Sequence, residues 1–156
     1  MRIAIAQVIS APRPFVFARA TEFDRLAMAL RDRGAEVALT RPDTAGPEGL
    51  RLAIDYPVGD RTWAANLDLA EHVPPEALEL AVDAEALTGR LGVLFETLAE
   101  EATRVAVTVD LAGRGVKGRM LLGSLKLVRA RIEARLDADL EAAARWLEAD
   151  WQAARG

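Results

Sequence analysis

From Val116 to the C-terminus, apolar residues recur at Leu121, Leu125, Val128, Ile132, Leu136, Leu140, Ala143 and Leu147. Steps of three and four draw one stripe along a helix. No Gly or Pro falls within 125–155, so the pattern predicts one long amphipathic helix, roughly 45 Å from 125 onward, longer than a small domain is wide. Such a stripe needs a partner. Everything before it reads as strand or short helix, which makes the partner a sheet.

The chain before that helix has a different period. Ile3, Ile5, Gln7 and Ile9 alternate with Arg2, Ala4, Ala6 and Val8, the mark of a strand with one core face. Residues 10–12 end it. Ser10 is a candidate cap for a short helix with Phe15, Val16, Phe17 and Ala20 on its inner side, Pro12 being tolerated in the first turn. A second short helix spans 23–33, with Phe23, Leu26, Ala27 and Leu30 on one face and Gly34 as its stop. Residues 36–41 form a short strand, and 42–49, rich in Pro and polar residues, reads as a loop. Leu50, Leu52, Ile54 and Tyr56 alternate toward a turn at 57–60, and the returning strand puts Trp63, Ala65, Leu67 and Leu69 on one face. After Pro74 and Pro75, Leu78, Leu80 and Val82 share a face; strands over 87–98 and 103–111 follow, the latter with Val105, Val107 and Val109 alternating. Connections this short permit only antiparallel neighbours. The expectation is an α+β fold: about seven antiparallel strands, two short helices after the first, curling around one long C-terminal helix.

Composition narrows the function classes. With 156 residues, 51% hydrophobic and 28% charged, the chain has the make-up of one globular domain over 1–156. A net charge of -4 argues against a nucleic-acid partner, since phosphate binding rests on surplus Lys and Arg. The absence of Cys removes disulfides, thiolate catalysis and Cys-based zinc sites. The first ten residues lack the apolar run of a secretory signal, and no uninterrupted apolar stretch reaches spanning length. A cytoplasmic protein without stable membrane insertion is expected, with oligomeric state left open.

In this order of elements the chain resembles the START-like superfamily, also called SRPBCC, whose fold is the helix-grip. Ile9, Ser10, Ala11 and Pro12 followed by Val16 and Phe17 resemble that family's opening, where a strand ends in an Ala-Pro step and a short helix begins. Thr103, Arg104, Val105, Ala106 and Val107 resemble its last strand, and the closing helix matches in place. The resemblance implies a deep apolar cavity between sheet and closing helix that takes up a lipid, polyketide or similar hydrophobic molecule. Its wall would draw on Gln7 and Phe17, on Leu52, Ile54, Tyr56, Trp63 and Leu67 of the hairpin, on Leu80, Val93 and Phe95, and on Leu121, Leu125, Val128 and Ile132 of the closing helix. Ile5, Val82, Leu91 and Val107 share those inward faces. Periodicity alone does not separate cavity wall from filled core. Gln7 brings an amide to an apolar face and needs partners there; Tyr56 and Trp63 suit either a ligand's polar end or a cross-strand pair.

Chemistry has few candidates. Gly113, Gly115 and Gly118 match the dinucleotide fingerprint in spacing, but no parallel strand follows the helix, so nucleotide binding is rejected in favour of a hinge. His72 is the single histidine; it has no second ligand near it in sequence and reads as a surface residue. No catalytic residue, metal or cofactor is assigned: there is no nucleophile elbow, and of the available carboxylates Glu22, Asp24, Asp55 and Glu96, Asp55 alternates to the outer face and Glu22 and Asp24 can cap the second short helix. The closing helix segregates charge. Arg114, Lys117, Arg119, Lys126, Arg129, Arg131 and Arg135 oppose Glu133 alone in its first part, and acidic residues dominate its second, an order that opposes the helix dipole. Either this is a solvated face supported by Arg129 with Glu133, Arg135 with Asp139 and Glu141 with Arg145, or it is a basic surface for an anionic ligand, membrane or protein centred on Arg129 and Arg131. The leading expectation is a binder of a small hydrophobic molecule; the alternatives are a cyclase or dehydratase on the same fold, and an adaptor using the basic surface.

Overall fold

The computed structural model describes residues 1–41 and 49–156; most of the loop expected at 42–49 thus lies outside the described residues. Seven strands form one antiparallel sheet: β1 (Arg2–Ile9), β2 (Glu36–Thr40), β3 (Arg51–Val58), β4 (Arg61–Val73), β5 (Ala77–Ala84), β6 (Leu87–Ala99) and β7 (Ala102–Gly113). Their order is β1-β7-β6-β5-β4-β3-β2. Each strand from β2 to β7 therefore lies beside its neighbour in sequence, as short turns demand, and β1 closes the sheet against β7 with Ile9 opposite Thr103. Between β1 and β2 run α1 (Arg13–Ala20) and α2 (Phe23–Asp32). After β7 come α3 (Gly115–Leu127) and α4 (Arg129–Arg155).

The alternation read from the sequence sets the inner face. Ile9, Leu52, Leu69, Leu78, Leu80, Phe95 and Val105 are buried there beneath Val16, Phe17, Phe23 and Ala27 of the short helices and Ala144 and Leu147 of α4. Phe17 meets Phe95 edge to face, ring centroids 5.0 Å apart.

The closing helix is not continuous. Val128, with φ -110° and ψ 18°, separates α3 from α4, and its N–H donates to Leu125 O at 3.1 Å, a tightened last turn. A straight rod touches a curved sheet only locally; the break lets α3 remain on β7 while α4, about 40 Å long, crosses to β1. His72, expected on the surface, is half-buried on the inner face with its ring 5.4 Å from that of Phe17. A bulge between Leu69 and Glu71 adds one residue to β4, so His72 pairs with inward Leu78. One extra residue reverses the parity of all that follows.

The glycines of the rejected fingerprint have a packing role, so the expected hinge is a tight junction. Gly115 takes φ +62°, and a Cβ on Gly118 would lie 2.8 Å from the Gly113 carbonyl carbon. Backbone meets backbone where α3 leaves β7.

The two segments that carried the family resemblance touch one another. Thr103, fully buried, donates its hydroxyl to Ala11 O at 2.7 Å, tying the turn after β1 to β7. Ser10 does not cap α1; its N–H donates to Glu148 Oε2 at 2.7 Å, and Pro12 holds the cap position. Thr103→Val keeps the shape and orphans the Ala11 carbonyl, an expected loss of about 2 kcal/mol in urea unfolding with the m-value unchanged. A loss under a few tenths of a kcal/mol would mean the bond holds nothing.

Candidate functional site

A cleft of about 760 Å³ opens between the sheet, the short helices and the second half of α4. Its floor is Ile9 of β1, Val105 and Val107 of β7, and Val93 and Phe95 of β6; α4 supplies Leu140, Ala143, Trp146 and Leu147, and the other wall is Val16, Ala20, Leu26, Met28 and Ala29. These strand residues sit two apart on one face, and the α4 residues three or four apart on one stripe, so the lining follows from local geometry. The wall stays open because α2 turns Phe23 and Ala27 to the core and leaves Leu26 and Met28 partly exposed.

Charged side chains gather at the mouth. Arg19 Nη1 donates to Glu22 Oε1 at 2.7 Å, and its Nε lies 2.7 Å from Asp150 Oδ2. Arg25 Nε is 3.0 Å from Glu22 Oε2, and its guanidinium stands over the Trp146 ring, 4.9 Å from the centroid. The Arg19 guanidinium is held above its ordinary range by the hydrogen bond to Glu22, with the charges of Asp150 and Glu22 adding to it against the opposing effect of burial. It remains a cation. Further along α2, Arg33 Nη2 is 3.5 Å from Asp139 Oδ1. Helices α2 and α4 are joined at one end by Arg25, over Trp146 and 4.0 Å from Asp150 Oδ2, and at the other by Arg33 with Asp139, with the apolar cleft between.

Of the wall candidates read from the sequence, Val93 and Phe95 line this cleft. Phe17, Leu52 and Leu80 are buried in the core, and Ile54, Tyr56 and Leu67 pack against it. Tyr56 stands opposite Trp63 across β3 and β4; neither borders the cleft. Gln7 faces inward and donates from Nε2 to Asp137 Oδ1 at 3.3 Å, so its amide joins β1 to α4. Leu121 and Leu125 are half-buried on α3, Ile132 is half-buried on α4, and Val128 at the break is exposed. A shallow depression of about 160 Å³ near Ile54 is bordered by Asp55, Asn66, Asp83 and Glu85.

The mouth was not legible in the sequence. Arg19 belongs to α1, Arg25 to α2 and Glu22 to the junction between them, and the turn at Thr21 brings them together beside Asp150. Of the three expected helix pairs, Arg135 with Asp139 forms at 3.5 Å. Arg129 instead donates to Arg2 O at 2.6 Å, and Arg145 pairs with Glu148 at 3.0 Å. Trp151, unplaced by the sequence, packs on Phe15 with centroids 5.0 Å apart and donates to Glu101 Oε1 at 3.1 Å. Among the described residues no three His, Asp or Glu side chains gather as metal ligands, and no helix is long and apolar enough to cross a membrane.

No protein-family model matches the chain, and no curated protein is similar to it in sequence. Solved structures are similar in three dimensions. The Zhui aromatase/cyclase from Streptomyces sp. R1128 superposes with a TM-score of 0.68 at 17% identity, covering 95% of this chain and 93% of that one. A START superfamily protein from Mycobacterium smegmatis gives 0.61 at 13% identity, covering 97% of each chain. An HSP90 activator from Plasmodium falciparum gives 0.54 at 15% identity, over 84% of this chain and 89% of that one. At such identities the likeness is one of architecture, and it agrees with the sheet order and closing helices described above: the chain has the START-like, or SRPBCC-like, helix-grip fold.

Proposed function

We propose that this protein binds a small hydrophobic molecule, a lipid, polyketide or similar, in the cleft between the sheet and α4. The observation that carries this reading is the cleft itself: about 760 Å³, lined mostly by aliphatic and aromatic side chains with four charged residues, Arg19, Glu22, Arg25 and Asp32, among them. That volume lies in the range of small-molecule sites, which are mostly apolar with few polar groups. A ligand that buries ~300 Å² of apolar surface gains roughly 7 kcal/mol before the cost of immobilisation. Arg19, Glu22 and Arg25 would meet its polar end. An adaptor with a filled interior has no use for such a space.

The test is native mass spectrometry of protein purified from its own host, then solvent extraction and identification of what is released. A stoichiometric apolar molecule is expected. An empty protein that also fails to take up an apolar fluorescent probe would sink the reading.

A second reading, cyclase or dehydratase chemistry in the same cleft, is favoured by the carboxylates Glu22 and Asp32 and the cations Arg19 and Arg25 that border it and by the aromatase/cyclase that shares the fold. It requires that the extracted molecule, incubated with the protein, either lose water or close a ring with a changed ultraviolet spectrum and retention time at the same mass; no change in mass, spectrum or retention would leave binding alone.

A further inference from the structure

Helix α3 has two apolar faces, and only one is covered. Gly118, Leu121, Leu122 and Leu125 lie on the side that packs against β7. On the opposite side Val116, Met120 and Leu127 are 73%, 71% and 87% exposed. At 3.6 residues per turn these three fall within about 40° of one another. Lys117 flanks their stripe on one side, Arg119 and Lys126 on the other. Large apolar side chains held in water need an explanation when they form a stripe.

The charge around the stripe says what covers it. Residues 114–135 hold seven Lys and Arg against the single acid Glu133, in a chain whose net charge is -4. Arg114 is engaged by Asp83 at 3.1 Å and Arg135 by Asp139 at 3.5 Å. Lys117, Arg119, Lys126 and Arg131 have no ion-pair partner among the described residues.

We propose that α3 docks the protein on an anionic lipid surface, with Val116, Met120 and Leu127 entering the acyl boundary and the surrounding cations meeting the head-groups. An exposed apolar stripe bordered by Lys and Arg on one helix is the pattern of an interfacial helix. A second copy fits poorly. It would bring the same cations face to face, and three side chains cover far less than the ~800 Å² per partner of a stable interface. No residue of α3 lines the cleft, so docking stands or falls independently of the ligand-binding reading.

The experiment is sedimentation of the full chain with vesicles of phosphatidylcholine alone and of equal parts phosphatidylcholine and phosphatidylglycerol. Binding to the second but not the first is expected, weakening with salt. Each cation near such a surface contributes about fivefold in affinity, so Lys117→Glu with Lys126→Glu lowers binding at least ~10-fold. Met120→Glu with Leu127→Glu does the same. The four side chains are exposed, so circular dichroism and melting temperature stay as in the parent protein. Three results would overturn the proposal. One is failure of the parent protein to bind anionic vesicles. Another is binding that survives Met120→Glu with Leu127→Glu, which reduces it to a general charge effect. The third is a dimer in light scattering that this pair of changes makes monomeric, which gives the stripe to a second copy.

Discussion

Gly118→Ala is expected to destabilise the protein by about 3 kcal/mol, and Gly123→Ala, five residues along the same helix, to stabilise it by up to ~1 kcal/mol. Local helix propensity favours both changes equally, because Gly in a helix interior is about 1 kcal/mol worse than Ala. Tertiary contact gives them opposite signs. A Cβ on Gly118 would press on Ala86 O and lie 2.8 Å from the Gly113 carbonyl carbon, whereas one on Gly123 would meet nothing within 4 Å. The atoms in the way are backbone. Ala86 O accepts from Arg114 N at 2.7 Å, so relief by movement would strain the bond that starts α3. For a chain of this size the Gly118 variant should melt roughly 6–12 °C lower, with secondary structure intact at low temperature. Thermal and urea unfolding of the two variants side by side is the check. A Gly118 variant as stable as its Gly123 counterpart would show that the junction yields.

That pair of glycines also marks where sequence reasoning stopped. Spacing alone gave Gly113, Gly115 and Gly118 the outline of a phosphate-binding loop; topology removed it, because α3 leads into α4 and not into a parallel strand. What replaces it is steric. Close approach of two backbones leaves no trace in a hydrophobic pattern, so the sequence suggested a hinge where the molecule has a tight joint. The strands were legible for the opposite reason. Alternation such as Val105, Val107 and Val109 reports a face directly, and short turns leave neighbouring strands no choice but to pair. The bulge in β4 defeated the same rule, since no residue between Leu69 and Glu71 announces it and the parity of His72 depends on it.

The cleft was legible only in part. Val93 and Phe95 are among the expected wall residues; Leu140, Ala143 and Leu147 lie on the expected apolar stripe, but the expected wall ends at Ile132, short of them. Which inward residues face a space, and which face one another, depends on where α2 comes to rest. That position is set by contacts distant in sequence: Arg19 with Asp150, Arg25 with Trp146, and Arg33 with Asp139. No periodicity encodes a distance of this kind, so the hairpin residues Tyr56 and Trp63 carried as much weight in the sequence as residues that border the cleft. The fold is a sum of local preferences, whereas the void is what those preferences leave unfilled.

Ala143→Trp turns that void into a measurement. Ala143 is exposed on α4 and lines the cleft between Leu140 and Leu147, so an indole there has solvent on one side and the apolar space on the other. Burial of its ring against Leu26 and Met28 is favourable at roughly 25 cal/mol per Å², which directs it inward. The variant is expected to fold with an unchanged or slightly raised melting temperature, since nothing in the core must move. Binding of an apolar fluorescent probe should fall at least ~10-fold, a difference of about 1.4 kcal/mol. A matched change on the same helix but away from the cleft, Ala138→Trp, should leave the probe's affinity as it was. Titration of the probe against the three proteins separates the possibilities. Equal affinities would place the bound molecule elsewhere, and the ligand-binding reading of this cleft would then fail even if the protein carries an apolar molecule when purified.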